Sequence, residues 1–494
     1  SFTTSNDLSL DGNYNTITWT TALGDRVAVY KENNGVYGYI GATEGASFKD
    51  QNILEDLTNT PPKAQNPFAA AGDYPSTLGF HEQRLFFGRS RNHPNGVWAT
   101  QTADFENMDY SSPAKGDDAL SFAIVGKKVN AINSLVSSSS LLALTSDSVV
   151  SVTGGTDNAI GPDGHILPKK QSGYRGSTRV SAQEIDEVVF YEPKRGKGVR
   201  ALNYTFEIDG YRSDDVSLFS SHYFEDDEIV RWAYQADPYS CMWVVMASGK
   251  LLCFTWERSQ EVWGWTENVT DGLYEDVAVI DENGESRVYV IVRRTIAGVE
   301  RRFYERMSLS PQSKDDLTTV CPLDCSVYYN YETPQDYVEG LYYLEGATVR
   351  AYADGFEYPD LTVVGGRVTL PVEATEVFVG LPFECSITTL PMPLASDKGA
   401  AHTNRQTGRS LVLRTLNSRG LEARISGTSD EFWEPLPERD GADAPSDIPA
   451  RGVKDFEVPL SAHWEDGTRY DIRQARSMPA HILALFPEPD VSDR

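Results

Sequence analysis

Cysteine is scarce in this chain. Five residues in 494 (Cys241, Cys253, Cys321, Cys325, Cys385) make an odd, widely spread set, unlike a disulfide framework and in keeping with synthesis in a reducing compartment. Long apolar runs are missing as well. The longest, Cys241 to Ala247, has seven residues, against the ~18 that a membrane-crossing helix needs, so no membrane span is expected. The opening SFTTSNDLSLDGNYN lacks a basic start backed by an apolar stretch, so no signal peptide is read there. Ser1 is compatible with loss of an initiator Met and with a processed chain. Basic charge is also short: 44 Lys and Arg stand against 72 Asp and Glu, a net charge of −28. Tight clamping of nucleic acid relies on Lys and Arg displacing counterions, and this balance argues against it. It does not argue against passing nucleic acid through, since a passage lined with acid repels phosphate.

Motifs that carry chemistry are equally thin. His81-Glu82 opens like a zinc-protease helix, but the second His would fall on Leu85. Cys321 and Cys325 lie four apart with no second pair at ligand spacing, so they read as two ordinary thiols and no metal is expected. Gly196-Lys197-Gly198-Val199-Arg200-Ala201 imitates a dinucleotide fingerprint, yet NYTFEIDGYRSDD follows where a helix must receive the pyrophosphate. The stretch reads as a hairpin turn, and no cofactor is expected. Gly45-Ala46-Ser47-Phe48-Lys49 lacks the closing Gly of a nucleophile elbow. Carboxylate pairs for glycoside hydrolysis stay open, because 72 acids form close pairs by chance.

What is present is a globular composition: 40% hydrophobic, 11% aromatic and 23% charged residues, long enough for two to four domains. Helical periodicity is nearly absent. Short runs of Val, Tyr, Phe, Trp and Thr alternate with Gly, Asn and Asp turns, the signature of a mostly β chain. Residues 1–62 supply TITWT, RVAVYKENNG and VYGYIGAT, three strands of a partial fibronectin-III-like sandwich with Trp19 and Tyr30 as core aromatics. Pro61 and Pro62 open a connector rich in Pro, Ala and Gly, where a domain boundary belongs.

Over 63–310 one unit recurs: apolar strand, polar turn, apolar strand. It begins at Arg84, Leu141, Glu187, Met242 and Arg287, with spacings of 57, 46, 55 and 45 residues. Paired strands at such intervals are what β-propeller blades look like. Residues 311–395 read as a small β meander with turns at Asp354-Gly355 and Gly365-Gly366. Residues 396–494 read as a C-terminal β region available to complete the propeller, interrupted by a mobile loop with four Pro between Pro435 and Pro449. The expected fold is therefore all-β: an irregular β-propeller, with a fibronectin-III-like sandwich segment before it and small β domains after it.

The acidic run Glu225, Asp226, Asp227, Glu228 is most often a solvated turn; its functional reading is a set of channel-lining acids facing a passing polyanion. The clusters Lys194, Arg195, Lys197 and Arg293, Arg294, Arg301, Arg302 read as solvated faces or subunit contacts rather than a grip on DNA. Trp232, Trp243, Trp256, Trp263 and Trp265 read as packed blade core rather than a stacking platform, which would want basic neighbours.

The ordered series GDYPSTLGFHEQRLFFGRSRNHPNGVWATQTADFENMD, DDALSF, LLALTSDSVVSV, QSGYRGSTRV, EVVFYEPKRGKGVRALNY, DPYSCMWVVMASGKLLCFTWERSQEVWGW and ERRFYERM resembles the tail nozzle, or tail tubular B, family of short-tailed bacteriophages. So do ITWTTALGDRVAVYKENNGVYGYIGATEGASFKDQNI, with TPP and NPF after it, and the later LEGATVRAYADGFEYPDLTVVGGRVTLPVEATEVFVGLPFECSITTLP. Together they cover most of the chain in order.

The resemblance implies a homo-oligomeric ring of six copies beneath the portal and adaptor, with propellers around a DNA channel. It also implies a support for tail fibres or spikes, a site in the virion tail after synthesis in the host cytoplasm, and double-stranded DNA passing without tight binding. Members of the family usually carry more chain ahead of the sandwich segment. No functional side chain carries over, since Arg84, Trp98, Asp118, Tyr174, Gly176 and Trp265 at matching positions read as turn and core framework. The expected role is a structural virion protein without turnover. The alternatives are a propeller carbohydrate-active enzyme or host-receptor adhesin, which calls for a deep pocket with two convergent carboxylates, and a scaffold for cellular partners.

Overall fold

The structure is a computed structural model that describes residues 7–20, 26–125, 130–155, 158–173, 175–308, 320–391, 395–396, 399–400, 406–437, 452–460 and 468–491. The chain divides into two compact units, Ser1–Asp227 and Glu228–Arg494. It is all-β and β-propeller-like. Among the described residues the helices are short 3₁₀ turns such as Phe206–Ile208 and Leu218–Tyr223, and no helix is long and apolar enough to cross a membrane.

Each of the five recurring sequence units is an antiparallel hairpin, and each sits inside a blade-like meander of consecutive strands. The first unit of the chain holds three of these sheets. Sheet one comprises Thr77–His81, Arg84–Gly88, Gly96–Ala99 and Leu120–Ala123; sheet two Ile132–Ser137, Leu141–Thr145, Ser148–Thr153 and Leu167–Gly173. Sheet three comprises Gln183–Ile185, Val188–Tyr191, Arg200–Thr205 and Gly210–Asp215. The second unit holds sheet four, Ile229–Gln235, Cys241–Met246, Leu251–Glu257 and Val262–Asn268, and the three-stranded sheet five, Leu273–Glu282, Glu285–Ile296 and Val299–Arg306.

The central strands are apolar on both faces for a geometric reason. Successive side chains in a strand point to opposite sides, so a sheet covered on both sides needs a continuous apolar run. Leu141-Leu142-Ala143-Leu144 is such a run. Leu141 and Ala143 pack with Phe86, Val97 and Ala99 of sheet one. Leu142 and Leu144 point the other way, into Val189, Tyr191 and Leu202 of sheet three. In the second unit, Val245 and Leu251 of sheet four pack against Val277, Val288, Val290 and Val292 of sheet five. Blades stacked face to face thus bury what a lone hairpin would leave in water.

Ahead of sheet one, Asn15–Thr18 pairs with Ser47–Asp50 and Val27–Asn33 with Val36–Thr43. The fourth strand, Ser47–Asp50, adds to the three read from sequence. Val29 and Ile40 are the buried apolar residues of this segment; Trp19 and Tyr30 are half-buried.

The region after sheet five departs from a simple meander of short strands. Asp324–Glu339 and Arg367–Leu381 are 16 and 15 residues long, and Arg367–Leu381 lies between Asp324–Glu339 and Thr348–Ala353. The cause is visible in its burial: Val377 to Leu381 is covered on both faces, and such a run takes a central position whatever its order in the chain. Asp354-Gly355 does turn a hairpin, both residues with positive φ.

The C-terminal stretch builds a sandwich of its own. Gln406–Leu416 pairs with Val453–Pro459 and Ile482–Val491. Leu421–Ile425 pairs with Tyr470–Gln474, which also pairs with Cys385–Thr388. Leu411, Leu413, Ala423, Ile425 and Ile472 fill the space between. Most of the Pro-rich loop, 438–451, lies outside the described residues.

Leu142→Ala should cost about 2–5 kcal/mol, the range for emptying a fully buried Leu position, read as a lower urea midpoint with an unchanged slope. Leu142→Met should cost under ~1.5 kcal/mol, because volume is kept.

Candidate functional site

The acidic run forms the connector between the 3₁₀ turn Leu218–Tyr223 and the strand Ile229–Gln235. Phe224 is buried and anchors it. Glu225, Asp226 and Glu228 are exposed and Asp227 is half-buried. The Glu225 carboxylate accepts from Ser221 Oγ at 3.0 Å, and the Glu228 carbonyl accepts from the Ala247 amide at 2.8 Å. The backbone is fixed while the carboxylates of Glu225, Asp226 and Glu228 face solvent.

The two basic clusters differ in kind. Arg293 and Arg302 face each other across paired strands, and both bind Glu275, at 3.0 and 2.6 Å, while Arg293 also meets Glu300 at 2.9 Å. The hydrogen bond from Arg302 holds the Glu275 carboxyl below its ordinary range. Arg294 is almost wholly buried. Its Nε and Nη2 donate to the two oxygens of Glu305 at 2.9 and 2.8 Å, and its Nη1 donates to Thr270 Oγ1 at 2.6 Å and to the Asp271 carbonyl at 2.7 Å.

Thr270 Oγ1 in turn donates to Asp324 at 2.6 Å, and a cavity of about 540 Å³ beside this knot is lined by Tyr274, Glu305, Cys321, Asp324, Cys325 and Tyr343. Burial pushes the Asp324 carboxyl and the Cys321 thiol up, and the Cys325 thiol to about 12. Neutral thiols are poor nucleophiles, and both Glu305 oxygens are taken by Arg294. The knot balances charge inside the second unit.

Lys194, Arg195 and Lys197 are exposed on the connection between Val188–Tyr191 and Arg200–Thr205. Arg195 Nη2 meets Asp147 at 3.3 Å. Gly198 here has φ +91°, and a Cβ on it would lie 1.9 Å from Ser217 Oγ. The glycine therefore serves close backbone packing in a hairpin, and a strand follows it where the dinucleotide pattern requires a helix.

The remaining look-alikes also resolve into framework. His81 ends a strand, and Glu82 and Gln83, with φ of 45° and 59°, turn the chain back. His81 Nδ1 lies 2.8 Å from Ser137 Oγ, and burial lowers its pKa. Cys321 Sγ lies 2.9 Å from Ser326 Oγ. Ser47 of the incomplete elbow begins a strand. Arg84, 2% exposed, donates to the carbonyls of Thr100, Asp118 and Gly116 at 2.7, 2.6 and 2.5 Å. The Asp118 carboxylate accepts from the amides of Ser111 and Lys115 at 2.8 and 2.9 Å.

Trp98, Trp232 and Trp256 are buried, and Trp265 stacks on Phe254 at 4.6 Å. Trp263, 51% exposed, leans on Trp256. Tyr174 lies outside the described residues. Among the described residues, no group of three His, Cys, Asp or Glu is placed to hold a metal ion.

Two groupings escaped the reading of the sequence. The Arg294–Glu305–Asp324 knot joins residues from three segments. Arg175, Arg179 and Arg89 gather near Lys194 and Lys197, where the segments 175–178 and 192–195 are hydrogen-bonded to each other and Asn133 ties Arg89 to Ser177. Neither has a local spacing that reveals it.

No family model matches the chain, and no curated protein does. Among solved structures it is similar to a Trypanosoma rangeli sialidase in complex with 2,3-difluorosialic acid (covalent intermediate), at 9% identity and a TM-score of 0.24, covering 95% of this chain and 96% of that one. A likeness of that size carries nothing about chemistry.

Two outcomes follow from the buried groups. Glu305→Leu should cost about 3–5 kcal/mol by stranding the Arg294 charge, and Arg294→Met with Glu305→Leu should recover most of it, both read by urea denaturation. His81 has a folded pKa below the 6.5 of an unfolded His, so the unfolded chain binds the extra proton first. Its contribution is present above pH ~6.5 and lost as pH falls below that value; His81→Gln should remove that part of the slope of urea midpoint against pH.

Proposed function

We propose that this chain is a structural subunit of the tail nozzle of a short-tailed bacteriophage. Copies assemble with cyclic symmetry into a hollow ring under the portal and adaptor, support tail fibres or spikes, and let double-stranded DNA pass without turnover. The observation that carries this reading is the ordered run of nozzle-like segments from Gly72 to Met307, continued from Leu344 onward.

Three further observations support it. The hairpins within those segments lie in successive blade-like sheets. The net charge of −28 keeps a polyanion from adhering, and in this reading Glu225, Asp226, Asp227 and Glu228 are among the acids that face it. His81-Glu82 turns a hairpin, and Cys321 Sγ lies 2.9 Å from Ser326 Oγ. Ring closure by head-to-tail contacts uses one interface repeatedly and leaves no open end.

Negative-stain electron microscopy of the purified protein, alone and with the adaptor protein, should show hollow rings. Monomers at high concentration under both conditions, or a single subunit that depolymerises host polysaccharide, would overturn the reading.

A further inference from the structure

Arg287, Arg293, Arg294, Arg302 and Arg306 of sheet five each meet a carboxylate; most of the basic residues on one surface of the first unit do not. Arg175, Arg179, Lys194, Arg195 and Lys197 are exposed and Arg89 is half-buried. Hydrogen bonds knit their segments together. The Arg195 amide donates to the Arg175 carbonyl at 3.0 Å and the Lys194 amide to the Gly176 carbonyl at 3.3 Å. Asn133 Nδ2 donates to the Ser177 carbonyl at 2.7 Å, while its Oδ1 accepts from Arg89 Nη1 at 2.6 Å. The scaffold is tight. Gly176, φ +62°, would place a Cβ 2.3 Å from the Ser146 carbonyl oxygen, so no larger residue fits where the loop meets sheet two.

Charge is where this surface stands apart. Arg195 meets Asp147, but among the described residues no carboxylate forms an ion pair with Arg89, Arg175, Arg179, Lys194 or Lys197. Burial, then the nearby Arg179 charge, lowers the Arg89 pKa. In a chain of net charge −28, two copies repel over most of their surfaces, and approach is favourable where such a patch meets acid.

The surroundings select the kind of acid. Gly198, next to Lys197, abuts Ser217 and Phe224; the chain around them carries Asp215, which accepts from Ser217 Oγ at 2.8 Å and pairs with Arg200 at 3.6 Å, and Glu225. A rod of uniform negative charge laid over this surface meets like charge at that end. A protein face with its own mixture of charges does not.

We propose that this basic surface is the docking site for exposed carboxylates of a second copy of the chain. The proposal rests on the ring assembly put forward above and assigns one of its contacts. Zero-length carbodiimide coupling of mixed isotope-labelled and unlabelled copies should join Lys194 or Lys197 to Asp or Glu of the other isotope. Arg179→Glu/Lys194→Glu/Lys197→Glu should weaken association about tenfold or more by sedimentation, with unchanged melting, and Lys194→Arg/Lys197→Arg should keep it.

Rings that form without such cross-links, or that ignore the charge reversal, overturn this contact alone. A wild-type mobility shift of duplex DNA that the reversal abolishes, with assembly intact, overturns it in favour of phosphate. Wild-type protein that never assembles takes down the nozzle reading, and this contact with it.

Discussion

Burial of sheets on both faces is the constraint from which the rest of this structure follows. A narrow meander with Leu141 and Ala143 on one side and Leu142 and Leu144 on the other exposes two apolar surfaces at once, and it is stable when both are covered. Stacking neighbouring meanders satisfies that demand repeatedly, with turns and edges left to water. The polar turns are then free to vary. That freedom explains unequal spacing between units and the absence of a repeated dipeptide.

Much of the β architecture was legible because it rests on local pattern. Runs such as LLALTSDSVVSV show both strands and their turn, so hairpin positions were readable strand by strand. What was hidden was long-range. Arg367–Leu381 inserts between two strands that precede it in sequence, Asp324–Glu339 and Thr348–Ala353, and nothing in its spacing announces which partners it takes. Trp19 and Tyr30 were expected in a core, yet Val29 and Ile40 fill it, since a four-strand segment has little interior to offer large rings. For the site, the exposure of Glu225, Asp226 and Glu228 agreed with their charge. The grouping of Arg89, Arg175 and Arg179 with Lys194 and Lys197 depends on three separate segments, a loop of sheet one, the link between sheets two and three, and a loop of sheet three, and left no linear trace.

Charge is handled in two ways within one chain. Arg294 is enclosed with Glu305 and neighbouring oxygens, which keeps a full charge tolerable away from water because four of its donors are matched, two of them by one carboxylate. Arg175, Arg179, Lys194 and Lys197 remain in solvent, where the dielectric makes their mutual repulsion modest. The first arrangement fixes a fold; the second leaves those charges in water.

Arg84 illustrates how such a fold secures its own loops. Its guanidinium occupies a nest of three main-chain oxygens, from Thr100, Gly116 and Asp118, of the sort that in many proteins a calcium ion would fill. Here the cation arrives tethered to the polypeptide. Closure of those loops is therefore insensitive to chelators and to the mineral content of the surroundings.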